Sequence, residues 1–201
     1  MQMLGDIKLT PLGIAALSLL TERDMHPYEM FQTLMARRED VIVKVRPGSL
    51  YHAVNRLAED ELVEAVGTER DGNRPERTTY RITRPGRYAL RSRVGDMLAN
   101  PAREYPAFPV AVSKAHDLPA DEVASHLRNR RSVLERDVTV LRDTIAALPD
   151  KPRVFLLDIE YLAVMREAEI AWVSALLDDI EGDTIAWPAL ARTTGEGEDP
   201  S

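Results

Sequence analysis

Between residues 46 and 63, in the stretch RPGSLYHAVNRLAEDELV, Leu50, Ala53, Val54, Leu57 and Ala58 recur at i, i+3, i+4, i+7 and i+8. That spacing predicts a short helix with one apolar stripe. Ser49, His52, Asn55, Arg56 and Glu59 fall on its other face, so groups that donate or accept hydrogen bonds line one exposed edge. Pro47 and Gly48 mark the entry, and Ser49 can either cap the first turn or offer its hydroxyl and N–H to a phosphate there.

Two helices are predicted before it. Residues 9–21 are almost wholly apolar behind Thr10 as N-cap and Pro11 at the first helical position. Residues 26–38 begin with Pro27 and present Tyr28, Met30, Phe31, Leu34 and Met35 to a core, and Val41, Ile42 and Val43 read as a short extended link. After the third helix, residues 63–68 and 77–82 read as strands joined by a tip rich in turn formers, with Tyr80 and Ile82 alternating inward. Thr83 then caps a helix over 84–98. Three helices followed by a β-hairpin is the winged helix-turn-helix order, in which the third helix enters a major groove and the hairpin tip meets backbone or minor groove.

Asn100, Pro101, Pro106 and Pro109 mark a linker over 99–109, followed by a short apolar segment. Residues 119–148 then place Val123, Leu127, Leu134, Val138, Leu141, Ile145 and Leu148 near heptad spacing, with Arg130 in a slot expected to be apolar. Past Pro149 and Pro152, residues 153–180 carry Leu157, Tyr161, Val164, Met165, Ala168, Trp172, Ala175 and Leu176 on one side. Two such helices form an antiparallel pair whose leftover apolar surface fits a second copy of the chain. From 182 to 201 the periodicity fades into an acidic tail with the composition of disorder. The expected architecture is mainly α with a small β-hairpin: a winged helix-turn-helix domain over 1–98, a linker over 99–109, an α-helical dimerisation domain over 110–181, and the tail.

Composition sharpens this. The 201 residues contain no cysteine, which removes disulfides and thiolate metal sites and fits a reducing cytoplasm. The longest apolar run, 12–20, is too short to cross a membrane, and it has neither the basic region nor the cleavage site of a signal peptide. Net charge is −7, yet residues 1–95 hold 15 Lys and Arg against 13 Asp and Glu, while 96–201 hold 11 against 20. The halves are therefore +2 and −9, so a polyanion would be approached by the first half and repelled by the second. The four histidines show no metal-ligand spacing and no Gly-rich phosphate loop is present, so neither catalysis nor a cofactor is expected.

The segments LTPLGIAALSLLTERDMHPYEM, PGSLYHAVNRLAEDELVEA and RPERTTYRITRPGRYAL, in this order and spacing, resemble the PadR family of bacterial transcriptional regulators over about the first 95 residues. The resemblance implies a winged-helix dimer that binds operator DNA, usually as a repressor, with a longer C-terminal region that adds helices for dimerisation. It places the DNA-facing helix on Ser49, Leu50, Tyr51 and the residues after them, and the wing on 70–77. Two positions depart from the family pattern: Pro27 stands where glycine is usual in a His-Gly-Tyr triplet, and Glu61 stands where the third helix usually ends on glycine.

On this reading Arg46, Arg70, Arg74 and Arg77, with Ser49 and Tyr51, are phosphate candidates that fix register and produce salt dependence. Asn73 joins them at the wing tip. His52, Asn55 and Arg56 are base-edge candidates, since Asn pairs bidentately with adenine and Arg with guanine. The expected partners are double-stranded operator DNA, a second copy of the chain, and a small aromatic or apolar effector against Phe108, Tyr161, Met165 and Trp172, with no membrane. A winged-helix module that holds another protein, or one that binds a small molecule without operator specificity, is the alternative.

Overall fold

The computed structural model describes residues 9–69 and 77–188, apart from the side chains of Thr68, Glu69 and Arg77. The chain divides into two compact units, Met1–Arg103 and Glu104–Ser201.

In the first unit, α1 (Pro11–Glu22) starts as its sequence predicts, with the Thr10 hydroxyl accepting from the Gly13 N–H at 3.1 Å and Pro11 where a missing N–H costs nothing. Apolar nearly all round, it buries Ala16, Leu17, Leu19 and Leu20 at the centre of the unit. α2 (Pro27–Ala36) packs Met30 and Leu34 against the same core. Arg38 then adopts φ 61° and a 3₁₀ turn, Glu39–Val41, follows. This corrects the extended link expected over 41–43. The preference of β-branched residues for extended backbone spans only about 1 kcal/mol, and the bonds Val41 N–H to Arg38 C=O and Val43 N–H to Glu39 C=O override it.

α3 (Pro47–Glu59) buries Leu50, Val54 and Leu57, with Ala53 and Ala58 packed beside them. Its end is a Schellman motif: the Leu62 N–H donates to Leu57 C=O at 2.8 Å and the Glu61 N–H to Ala58 C=O at 3.0 Å, with Glu61 at φ 57°. β1 (Val63–Glu69) pairs antiparallel with β2 (Arg77–Ile82), Val63 opposite Ile82, with a register irregularity between Ala65 and Gly67. Met25, between α1 and α2, pairs with Tyr80 on the free edge of β2 and so ties the hairpin to the helices. α4 (Arg84–Ala99) is capped by Thr83.

In the second unit, α5 (Ala107–Ser113) begins inside the stretch expected to be linker. Pro109 lies in its first turn, where an N–H has no helical acceptor anyway. α6 (Ala120–Ala146) and α7 (Leu157–Glu181) pair antiparallel, as the bridges Arg128–Glu181 and Arg142–Glu167 show. Val123, Ala124 and Leu127 of α6 meet Val173 and Leu177 of α7 in the core. Arg130, out of place in an apolar seam, lays its guanidinium 3.6 Å from the Phe108 ring centroid and bonds Glu169. The expectation of a structureless tail from 182 fails for its first residues. Trp187 packs on this core and its indole N–H donates to Leu118 C=O at 2.8 Å, because one large apolar ring with one donor gains more from burial than a polar composition average implies. The rest of the expected tail, 189–201, lies outside the described residues.

Candidate nucleic-acid interface

The apolar stripe of α3 turns its other face to solvent: Arg46, Ser49, Tyr51, His52, Asn55, Arg56 and Glu59 are all exposed. From Ser49 to Arg56 this edge runs about 10 Å along the axis at 1.5 Å per residue, a length suited to a major groove roughly 12 Å wide. Among the described residues, the side chains of Ser49, His52, Asn55 and Arg56 have no intramolecular hydrogen-bond or ion-pair partner, which leaves their donors and acceptors for a ligand.

Ser49 does not cap the helix. α3 begins at Pro47 with Arg46 at the N-cap and no side-chain cap at all, so Ser49 is already the third helical residue. The first intrahelical bond is from Leu50 N–H to Arg46 C=O at 3.0 Å, which leaves the N–H groups of Gly48 and Ser49 without helical acceptors. Unsatisfied N–H groups, the positive end of the helix dipole and the Ser49 hydroxyl converge at this end. Glu59, Asp60 and Glu61 cluster at the other, so a polyanion is attracted to the N-terminal half of α3 and repelled from its C-terminus.

Three contacts tie together the elements around the helix. The Thr83 hydroxyl donates toward the carbonyls of Glu61 and Leu62 at 2.8 and 3.0 Å and accepts from Gly86 N–H at 3.1 Å, joining the end of α3 to the start of α4. Arg81 and Asp24 form a bidentate pair beside the Met25–Tyr80 bridge. The third lies at the N-terminal side, where the His26 ring stands edge-on to Tyr51 with centroids 5.9 Å apart while its Nδ1 accepts from Tyr28 N–H and caps α2. This explains Tyr51: its ring braces α3 against the start of α2. The start of α2 at Pro27 was legible in the sequence, but the cap by His26 and its contact with Tyr51, 25 positions away, were not read there.

Charge pairing sorts the arginines. Arg23, Arg37, Arg81 and Arg93 of the first unit each hold a carboxylate, and so do Arg128, Arg130, Arg131, Arg142, Arg153 and Arg166 of the second. Lys44, Arg46 and Arg56 are exposed and hold none among the described residues. Pairing leaves the net +2 of the first half unchanged, but it leaves unpaired cations beside the N-terminal half of α3. Lys44 is a cation that the sequence reading passed over; its place two residues before the helix N-cap is the signal that was available. Arg70, Asn73 and Arg74 lie outside the described residues, and Arg77 opens β2 with its side chain not described.

In the second unit a cavity of about 290 Å³ is walled mainly by apolar side chains of α5, α6 and α7, with His126 and Arg130 as its polar members. Of the four residues expected to line an effector pocket, Phe108 does so. Tyr161, Met165 and Trp172 are outside its lining and exposed on α7, although the Trp172 ring stands edge-on to Phe108 with centroids 6.0 Å apart. Among the described residues no cluster of His, Asp and Glu is arranged to hold a metal ion, and no helix is long and apolar enough to cross a membrane.

Residues 16–92 match the transcriptional regulator PadR-like family. No curated protein matches the chain. Among solved structures, Bacillus subtilis PadR in complex with operator DNA is similar at a TM-score of 0.71 and 15% identity, over 85% of this chain and 99% of that one. The Vibrio cholerae virulence activator AphA is similar at 0.65 and 20%, over 86% and 99%. The PadR-like transcriptional regulator BC1756 from Bacillus cereus follows at 0.60 and 14%, over 86% and 99%. At these identities the likeness carries the fold.

Proposed function

We propose that this chain, which carries a PadR-like family domain at residues 16–92, is a cytoplasmic, sequence-specific DNA-binding transcriptional regulator that works as a homodimer. The carrying observation is the solvent face of α3, where Ser49, His52, Asn55 and Arg56 are exposed and, among the described residues, unpartnered beside the cations Lys44 and Arg46, which hold no carboxylate there. His52, Asn55 and Arg56 read base edges, and Arg46, Ser49 and Tyr51 seat the helix on phosphates. Arg70, Asn73, Arg74 and Arg77 form the wing's contact with backbone or minor groove.

One such unit covers few base pairs, so two copies read half-sites about one helical turn apart, roughly 34–36 Å, or a multiple of it. Repression is the direct output of this arrangement, because an occupied operator excludes other proteins. One structural neighbour is named an activator, so a reporter assay decides the sign. The cavity bordered by Phe108, His126 and Arg130 suits a small aromatic or apolar effector, which shifts DNA affinity only if it binds the competent and incompetent arrangements unequally.

Selection of bound fragments from a genomic DNA pool tests the reading. A two-fold symmetric site is expected, with affinity falling by about 10³–10⁵ between 50 and 200 mM salt. Recovery of no enriched sequence, with salt-insensitive binding to a protein partner instead, supports the alternative of a protein-docking module.

A further inference from the structure

α5 contains no charged residue, yet not one of its side chains is buried. Val110 is 60% exposed, and Phe108 and Val112 are only half-buried. With the 3₁₀ turn Ala115–Asp117 after it, α5 borders the cavity of about 290 Å³ against α6 and α7 instead of closing on them. An unfilled hole leaves its apolar lining without the contacts that a packed core supplies. At roughly 30 Å³ per non-hydrogen atom, the share of one water in the liquid, the space accommodates about ten such atoms.

The lining defines what fills it. Val112, Leu118, Val123, Leu127 and Leu176 present saturated carbon. Phe108 is the one aromatic wall, and its ring is already engaged: the Arg130 guanidinium lies over it, 3.6 Å from the centroid, and Trp172 stands edge-on to it. An aromatic guest therefore finds no open ring to stack on. The two polar members, His126 and Arg130, are four residues apart on α6 and so share one side of the helix. His126 reaches Glu122 at 3.5 Å and is largely exposed, which puts this polar border at the mouth. Arg130 stands where the heptad seam of α6 calls for an apolar residue. Glu169 engages its Nε and Nη2 through a single oxygen, so Nη1 keeps two donors with no partner among the described residues. Guanidinium donors beside an aliphatic hole match an anionic head on a saturated chain.

We propose that the cavity among α5, α6 and α7 binds a medium-chain monocarboxylate, with the saturated chain inside and the carboxylate on Arg130. The proposal deepens the effector part of the function reading and rests on that reading for its regulatory consequence alone, since binding is measured without DNA.

Isothermal titration of the full chain with octanoate, which fits this volume, is expected to give a dissociation constant below about 1 mM. 1-Octanol, with the same chain and no charge, is expected to bind about 10-fold more weakly, and Arg130→Gln to remove that difference. Glu169→Gln takes away the competing carboxylate and is expected to tighten octanoate while leaving octanol unmoved. Ala111→Phe fills the cavity from an exposed position of α5 and is expected to abolish binding of both, with circular dichroism and melting retained. Should Arg130→Gln lower the melting temperature, Glu169→Gln and Ala111→Phe decide the matter. Octanol bound as tightly as octanoate, octanoate unmoved by Glu169→Gln and Ala111→Phe, or 3-phenylpropanoate bound more tightly than octanoate overturns the proposal and leaves the DNA reading in place. Binding in the expected pattern with affinity for the selected DNA fragments unchanged supports the site and overturns its effector role.

Discussion

Gly86 lies so close to Leu62 that a Cβ on it would stand 2.1 Å from the Leu62 carbonyl oxygen and 2.9 Å from Ile82 Cγ1. That oxygen accepts from the Thr83 N–H and hydroxyl, so the backbone leaving α3, the base of the hairpin and the first turn of α4 close on one point. Neither the carbonyl nor the capped turn can retreat without breaking these bonds. Gly86→Ala is expected to cost about 1–3 kcal/mol or more as overpacking, seen as a melting temperature several degrees lower in thermal denaturation.

Glu61 predicts the opposite sign. At φ 57° it occupies the left-handed position of the Schellman motif, where a side chain is strained by roughly 1–2 kcal/mol and glycine is not. Part of the relief is lost to glycine's greater freedom in the unfolded chain, so Glu61→Gly is expected to stabilise by about 0.5–1 kcal/mol. A lower urea midpoint in the variant contradicts this.

The base-reading and phosphate-seating roles separate in binding assays. Asn55→Ala and Arg56→Ala are each expected to cost about 1–3 kcal/mol on the preferred site and to relax choice at one base position. Arg46→Ala is expected to weaken all sequences alike and to lower the slope of log affinity against log salt by about 1. Equal losses on specific and random DNA for all three variants contradict the division of labour.

Arg37 bonds both carboxylate oxygens of Glu22, at 2.6 and 2.8 Å, and joins the end of α1 to the end of α2. The hydrogen bond from Arg37 holds the Glu22 carboxyl below its ordinary value of 4.5. A depressed carboxylate contributes stability above the unfolded value, and the contribution disappears as pH falls through the folded one. Both side chains are 45% exposed, so solvent screening limits the pair to about 0.2–1 kcal/mol. Glu22→Gln is expected to lower stability by that amount at pH 7 and to match wild type well below pH 4.5. A deficit that persists in acid points to packing instead.

The sequence determined what depends on neighbours one to four positions apart. The caps at Thr10 and Thr83, Pro11 and Pro27 at helix starts, and the split of α3 into a buried Leu50–Val54–Leu57 stripe and a polar edge were all legible, because helix periodicity and capping are local. The departure at Glu61 was visible only through the family resemblance, as a position where the third helix usually ends on glycine. Tertiary structure decided what depends on partners far along the chain. Arg81 is neutralised by Asp24 while Arg46 and Arg56 hold no carboxylate among the described residues, Tyr51 leans on His26, Arg130 finds Phe108 and Glu169, and Trp187 holds down a segment whose composition suggested disorder. The apolar positions of α7 were readable as a stripe, but which of its two flanks α6 would take was not. An apolar face states only that it must be covered, and the identity of the cover is settled by packing across the whole fold.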